Sequence, residues 1–158
     1  MKKIPVVISF ILLSLVPGLS ALTISVYHTS DVHGWYSPRP AKWDKENSTR
    51  SVGGFPAFAS LIEADKNPRI LLDSGDTFQG TPEGTLTRGL ASAALMNELG
   101  YSAAVVGNHE YDYGEDVIRQ MVTRSSFPWL GANVAVKKSG TIPDYLKPYT
   151  IIERGGKK

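Results

Sequence analysis

Side chains that can bind a metal ion or move a proton occur in three short stretches of this chain. They are Asp31 and His33 in "TSDVHG", Asp76 in "DSGDTFQG", and Asn108, His109 and Asp112 in "GNHEYD". A mixture of carboxylate, imidazole and amide ligands suits zinc, manganese or iron. Each stretch taken alone is equally compatible with an ordinary surface turn. The chemistry therefore depends on whether the fold brings the three stretches together.

Each stretch directly follows a predicted β-strand. Thr23–His28 alternates and is rich in β-branched and aromatic residues, whereas Arg69–Asp73 and Ala103–Val106 are short apolar runs typical of buried strands. The segments "PWLGANV" and "YTIIER" are two further strand candidates. The three polar stretches are thus expected at strand ends.

Helical patterns separate the predicted strands. The segment "GGFPAFASLIEADK" has one apolar stripe with helical spacing, and Glu115–Thr123 has apolar residues on one side. Thr85–Leu99 is predicted to form one helix that Gly100 ends. Alternating strands and helices predict an α/β fold with a largely parallel sheet, in which functional groups gather at the carboxyl ends of the strands.

Local geometry indicates how single residues could serve such a site. In an extended chain, Asp31 and His33 would point to the same side and could reach one ion. Gly75 permits a sharp turn that would let Asp76 bridge two ions, and Asn108 could complete a second ion's coordination. Both are also common turn residues. Asp73 is expected to be a structural carboxylate that caps its loop.

Composition limits the classes of protein that this chain can represent. Its 158 residues suffice for about one domain. The basic, apolar and then small-residue pattern of residues 1–21 predicts a cleaved export signal rather than a membrane anchor. Lys2 and Lys3 account for the formal charge of +2, so no basic surface for nucleic acid is expected. The absence of cysteine excludes disulfides, thiolate metal sites and a lipid-modified cysteine.

The segments "ISVYHTSDVHGWY" and "YSAAVVGNHEYD" resemble the two signature stretches of the exported 5′-nucleotidase family, within the calcineurin-like binuclear metallophosphoesterases. "SGDTFQGTP" and "LGANV" also resemble family segments, and the resemblance runs from Thr23 to Lys158. It implies a layered α/β sandwich with its site at the carboxyl ends of the strands. It also implies two divalent metal ions of the Zn, Mn, Mg or Co type.

The same resemblance implies roles for the six residues. Asp31 and His33 would bind the first ion, Asp76 would bridge both ions, and Asn108 would bind the second. His109 would face the phosphoryl group without binding metal, and Asp112 would orient it.

The resemblance implies no metal-binding role for two other polar residues of the signature stretches. His28 is expected to be a hydrogen-bonded structural histidine. Glu110 is expected to be structural or to lie on the surface.

The family supplies two more histidine ligands from later strands, but the three histidines of this chain are His28, His33 and His109. The second ion would therefore have only Asp76 and Asn108 as ligands, which are expected to be too few to hold a transition metal tightly. Residues 22–158 are expected to form the amino-terminal part of a truncated catalytic domain.

The resemblance implies an exported enzyme, periplasmic or extracellular, that hydrolyses small-molecule nucleotides and touches a membrane only transiently through its signal. Within the family, 2′,3′-cyclic nucleotides, UDP-sugars and sulfur esters are alternative substrates. A different hypothesis is a catalytically incomplete exported chain that binds at most one metal ion or a partner. The sequence leaves the oligomeric state open.

Overall fold

A computed structural model describes residues 21–158 of the chain. The predicted export signal lies outside the described residues, except for Ala21. In order along the chain, the elements are β1 (Ser25–Thr29), β2 (Arg39–Pro40), β3 (Ser51–Val52), α1 (Gly54–Ala64), β4 (Arg69–Asp73), α2 (Pro82–Leu86), α3 (Leu90–Leu99), β5 (Ala103–Val105), a 3₁₀ turn (His109–Tyr111), α4 (Glu115–Arg124) and β6 (Trp129–Leu130). In the part of the chain that these elements span, no helix is both long and apolar enough to cross a membrane.

The main sheet has four strands in the order β1-β4-β5-β6, and all neighbouring pairs are parallel. The predicted parallel sheet is therefore confirmed. Thr29 pairs with Asp73, and Asp73 pairs with Ala104. This register places the carboxyl ends of β1, β4 and β5 side by side, so that the three polar loops leave the sheet at one edge.

The hydrophobic core lies between this sheet and the helices. The apolar stripe predicted for α1 is present, because Phe55 and Ile62 are buried while their helix neighbours on the other side are exposed. Met121 of α4 and Trp129 of β6 are also buried. The Trp129 indole donates a 2.8 Å hydrogen bond to Ser125 Oγ, which satisfies its polar group inside the core.

The single helix predicted over Thr85–Leu99 is wrong, because the chain forms two helices there. Between α2 and α3, Arg88 and Gly89 have left-handed φ angles of 47° and 85°. A side chain at Gly89 would overlap the thioether of Met121, and the turn lets the backbone approach α4 closely. Helical propensity therefore yields to packing at this point. Helix α3 does end at Gly100, which has the left-handed conformation expected there.

The strand predicted for "YTIIER" is also wrong, since this segment forms no strand of the described sheets. Tyr149 and Ile151 are exposed. The segment is attached by a side chain instead: the Arg154 guanidinium donates to the backbone oxygen of Arg69 and to Ser102 Oγ. A turn follows this segment, and mutual backbone hydrogen bonds between Arg154 and Lys157 close it.

Candidate metal centre and active site

The loops that follow β1, β4 and β5 form the candidate site; we call them loop 1 (residues 30–34), loop 2 (74–79) and loop 3 (106–112). Loop 1 lies along loop 2 and continues the parallel pairing of the strands. Asp31 N donates to Gly75 O at 3.0 Å, and His33 N donates to Asp76 O at 2.9 Å. Backbone contacts with loop 2 therefore hold loop 1 in position.

Loop 2 contacts loop 3 at two glycines. Gly75 has a φ of +97°, and a Cβ there would overlap the backbone nitrogen of Gly107 and lie 2.9 Å from its Cα. A Cβ on Gly107 would in turn overlap the carboxylate of Asp76. Both positions need glycine because the two loops touch backbone to backbone.

This loop contact brings three predicted site residues into one cluster. His33, Asp76 and His109 each offer a ligand atom, and these atoms lie within 4.8 Å of one another. The two imidazole rings meet edge to face with centroids 5.2 Å apart. Asp31 Oδ1 lies 3.9 Å from His33 Nε2 and so joins the cluster's edge.

The extended geometry predicted for Asp31 and His33 is wrong. Their φ angles are 54° and 49°, and that of Asp76 is 57°, so all three have left-handed backbones. Such conformations cost about 1–2 kcal/mol per residue and need support from their surroundings. The hydrogen bonds between loops 1 and 2 supply that support. Asp31 and His33 approach each other through a turn, not through strand alternation.

The hydrogen bond of His33 fixes its tautomer. Its Nδ1 bonds to the backbone oxygen of Gln79. A carbonyl oxygen can only accept, so Nδ1 carries the proton and Nε2 of the neutral ring carries the lone pair. Nε2 is also the atom that lies near Asp31. This is the arrangement typical of metal-binding histidines, in which the second nitrogen is held by a hydrogen bond.

His109 is held in the same way by a carboxylate. Its Nδ1 lies 2.7 Å from Asp112 Oδ2, three residues later in the 3₁₀ turn. This hydrogen bond raises the pKa of His109 above its ordinary value, and desolvation opposes the shift. The backbone nitrogen of His109 donates to Asp76 Oδ1 at 2.9 Å. His109 therefore hydrogen-bonds to loop 2 through its backbone nitrogen and to Asp112 through its imidazole ring.

Asn108 lies between Gly107 and His109, at the exposed start of the 3₁₀ turn. Its backbone oxygen accepts a 3.2 Å hydrogen bond from Tyr111 N. Its two neighbours in the chain both contact Asp76. The structure thus places Asn108 beside the cluster, between two residues that contact Asp76.

Asp73 and His28 have the structural contacts expected of them. Asp73 is buried, and its carboxylate accepts from Gly75 N at 2.7 Å and from Thr29 Oγ1 at 2.5 Å. Burial raises the pKa of Asp73 to about 6, although these two hydrogen bonds lower it. His28 Nε2 lies 2.6 Å from Ser74 Oγ. Both residues hold the start of loop 2.

The sequence did not indicate the buried position of Glu110 or its hydrogen bonds to loops 2 and 3. Glu110 is structural, as one of the two expectations had it, but it is completely buried rather than on the surface. Its carboxylate accepts hydrogen bonds from loop 2 and loop 3. In the 3₁₀ turn, His109 and Asp112 are three residues apart and pair with each other, and Glu110 lies on a different side of the turn.

The donors in the cluster fit one divalent ion. Asp76 and Asp31 provide carboxylate oxygens, and His33 provides a nitrogen whose tautomer is already set. Such a mixed oxygen and nitrogen set suits zinc, manganese or iron.

The chain belongs to the calcineurin-like phosphoesterase family, whose model matches residues 24–156. The resemblance inferred from the two signature stretches is therefore confirmed, and with it the metallophosphoesterase α/β fold. Proteins of this family bind divalent metals, in agreement with the donors at the edge of the sheet.

Its relatives include several proteins named 5′-nucleotidase. The chain is 32% identical over 140 residues to a probable 5′-nucleotidase of Treponema pallidum, which covers 85% of this chain and 24% of the relative. It is 35% identical over 152 residues to the snake venom 5′-nucleotidase of Gloydius brevicauda, covering 92% of this chain and 26% of the relative. The crystal structure of a 5′-nucleotidase precursor from Thermus thermophilus superposes with a TM-score of 0.73 at 29% identity, covering 84% of this chain and 26% of that one. The chain thus spans about a quarter of the length of the relatives it matches.

Proposed function

We propose that residues 22–158 are the amino-terminal part of the catalytic domain of a longer protein, and that this protein hydrolyses phosphate esters of nucleotides as a 5′-nucleotidase. The observation that carries the proposal is that His33, Asp76 and His109 converge at the carboxyl ends of the strands, with Asp31 next to them. The relatives named 5′-nucleotidase support the substrate class.

In this proposal Asp31, His33 and Asp76 would hold the first divalent ion, and Asp76 and Asn108 would contribute to the second. When bound, such ions would supply Lewis-acid chemistry, which would polarise the phosphoryl oxygens and lower the pKa of water to about 7. The chain's own contribution is to hold Asp76 in a left-handed turn between loops 1 and 3. It also binds Nδ1 of His33 to the Gln79 carbonyl oxygen, so that Nε2 is the ring nitrogen left for the ion. Further ligands of the second ion would come from parts of the full-length protein outside these 158 residues.

His109 is proposed to act on the substrate instead of binding metal. Asp112 accepts the hydrogen bond of Nδ1, which leaves Nε2 to meet the phosphoryl group or the leaving oxygen. A positioned acid of this kind contributes typically about 10²–10⁴-fold to the rate. Because His109 also lies within the cluster of possible ligands, a variant at this position must be tested for metal content as well as for activity.

The decisive experiment measures phosphate release from AMP by the full-length protein with added Mn²⁺ or Zn²⁺. Asp76→Asn and His109→Asn should each abolish release, whereas His28→Asn should retain it, since the His28 side chain hydrogen-bonds to Ser74 Oγ and lies outside the cluster. If His109 acts on the substrate, His109→Asn keeps the wild-type metal content. If it is a ligand, metal content falls together with activity. Unchanged release in both Asp76→Asn and His109→Asn would contradict the proposed site.

Metal content also tests the competing hypothesis. The full-length protein should bind two ions per chain, and residues 22–158 alone at most one. A full-length protein with a single ion and no phosphate release would favour an incomplete chain that binds one ion or a partner.

We also propose that the protein is exported and that residues 1–21 are removed. One relative carries the name of a venom protein and another that of a precursor, which agrees with export. The test is the amino-terminal sequence of the protein recovered from outside the cytoplasm, which should begin at Leu22. Recovery of the uncleaved chain from the cytoplasm alone would contradict it.

A further inference from the structure

Glu110 occupies an unusual place beneath the candidate site. Its relative exposure is 0%, and its two carboxylate oxygens connect loop 2 to loop 3. Oε2 accepts from Asp76 N at 2.9 Å and from Gly107 N at 2.7 Å. Oε1 accepts from Thr77 N at 2.8 Å and from Thr77 Oγ1 at 3.0 Å.

These contacts require a carboxylate and not merely a polar side chain. All four donors are N–H or O–H groups, so both oxygens of Glu110 act only as acceptors. An ionised carboxylate has about four acceptor sites, and the four donors match them. A glutamine would turn an NH₂ group towards one pair of these donors. Burial of a charged group is unfavourable unless it is hydrogen-bonded in this way.

The contacts also converge on Asp76. Its backbone nitrogen is held by Glu110, its backbone oxygen by His33 N, and its Oδ1 by His109 N. Of these three contacts, the one with Glu110 comes from inside the domain. The same Glu110 oxygen, Oε2, also accepts a hydrogen bond from Gly107 N of loop 3.

We propose that Glu110 is a positioning residue that fixes Asp76 for metal binding and closes loop 2 onto loop 3. This inference rests on the proposed function, because Asp76 is there assigned to the metal ions. Glu110 acts through Asp76 and does not touch the metal. Its buried negative charge also lies next to the cluster and favours a cation there.

The test is a calorimetric titration of the full-length protein with Mn²⁺. Glu110→Gln should raise the Mn²⁺ dissociation constant by about 10–100-fold, the range found when residues that orient metal ligands are replaced. Thr77→Val removes one of the four donors and should raise it by a smaller factor, whereas Thr77→Ser keeps the hydroxyl and should bind Mn²⁺ like the wild type.

Ile118→Val provides the control for a general loss of stability. Ile118 is completely buried in α4, outside the three loops, and its side chain has no polar atom that could hydrogen-bond to them, so this variant should lower the melting temperature and leave Mn²⁺ binding unchanged. A shift in Mn²⁺ affinity in Glu110→Gln but not in Ile118→Val supports a positioning role.

The possible results separate this inference from the proposed function. Wild-type Mn²⁺ affinity in both Glu110→Gln and Thr77→Val overturns the positioning role alone. If Glu110→Gln does not fold, the comparison of Thr77→Val with Thr77→Ser decides, and equal affinities overturn it. A wild-type protein that neither binds Mn²⁺ nor releases phosphate from AMP overturns the proposed function, and the positioning role with it.

Discussion

Replacement of Gly75 by alanine is expected to damage both the stability of the protein and its proposed site. Gly75 has a φ of +97° and faces the backbone of Gly107, so an added methyl group meets two separate obstacles. One is the left-handed backbone, which disfavours any residue with a Cβ. The other is the direct overlap with loop 3.

Both obstacles lower the free energy of unfolding. A left-handed conformation costs about 1–2 kcal/mol for a residue other than glycine. Overpacking of a close contact typically costs about 1–3 kcal/mol. The sum is a loss of about 2–5 kcal/mol from the free energy of unfolding, a large part of the usual total of about 5–15 kcal/mol.

The added methyl group would also push loop 2 away from loop 3. The new Cβ would lie 2.9 Å from Gly107 Cα. To reach an ordinary carbon–carbon separation of about 3.5–4.0 Å, the two loops must move apart by about 0.6–1.1 Å. Since His109 is attached to Asp76 across this contact, such a shift displaces the proposed acid from the metal ligands. A misplacement of about 1 Å can lower the rate by about 10²-fold.

Gly114→Ala is the matched control for this prediction. Gly114 has a φ of +84°, and a Cβ at this position would meet no atom within 4 Å. It should therefore show only the backbone cost, about 1–3 kcal/mol for its positive φ and its ψ of 172°, and retain wild-type phosphate release. Calorimetric unfolding and AMP hydrolysis of both full-length variants would separate the two terms. Equal losses of stability and equal activities in Gly75→Ala and Gly114→Ala would show that loops 2 and 3 are not in contact.

Two further substitutions probe the support of the sheet. The pKa of Asp73 is raised from 3.8 to about 6, so the folded state binds this proton more tightly than the unfolded state does. The protonated side chain therefore stabilises the fold below about pH 4, and this stabilisation is lost as the pH rises to about 6. Asp73→Asn should remove up to about 3 kcal/mol of this pH dependence, at about 1.4 kcal/mol per pKa unit; identical slopes of unfolding free energy between pH 4 and 6 in both proteins would refute this. Ser125→Ala leaves the buried Trp129 indole without its acceptor and should lower the unfolding free energy by about 1–3 kcal/mol, measured by urea denaturation. Ser139→Ala, at an exposed loop position, should change it by less than about 0.5 kcal/mol, and equal effects would contradict the burial of the Trp129 hydrogen bond.

Several features of the molecule could be predicted from the amino-acid sequence because they depend on short-range patterns. The apolar runs Arg69–Asp73 and Ala103–Val106 and the apolar stripe of α1 identified strands and helices in alternation, and the parallel sheet follows from that alternation. The rule for strand ends then located the three loops. Residue type and spacing within these loops, together with the resemblance of the signature stretches, indicated the family.

Tertiary structure decided the features that depend on contacts between distant parts of the chain. The break before α3 arises because Gly89 packs against Met121. The left-handed backbone of Asp31 is held by loop 2, more than forty residues away in the chain, and that of Asp76 is held by Glu110. No local pattern records such contacts. An acidic residue in "GNHEYD" has the same composition whether it lies on the surface or, as Glu110 does, accepts four hydrogen bonds inside the domain. The amino-acid sequence alone specifies which side chains are available and which strand ends carry them. Only the folded structure decided their conformations, since these are set by backbone contacts that exist once the loops have met.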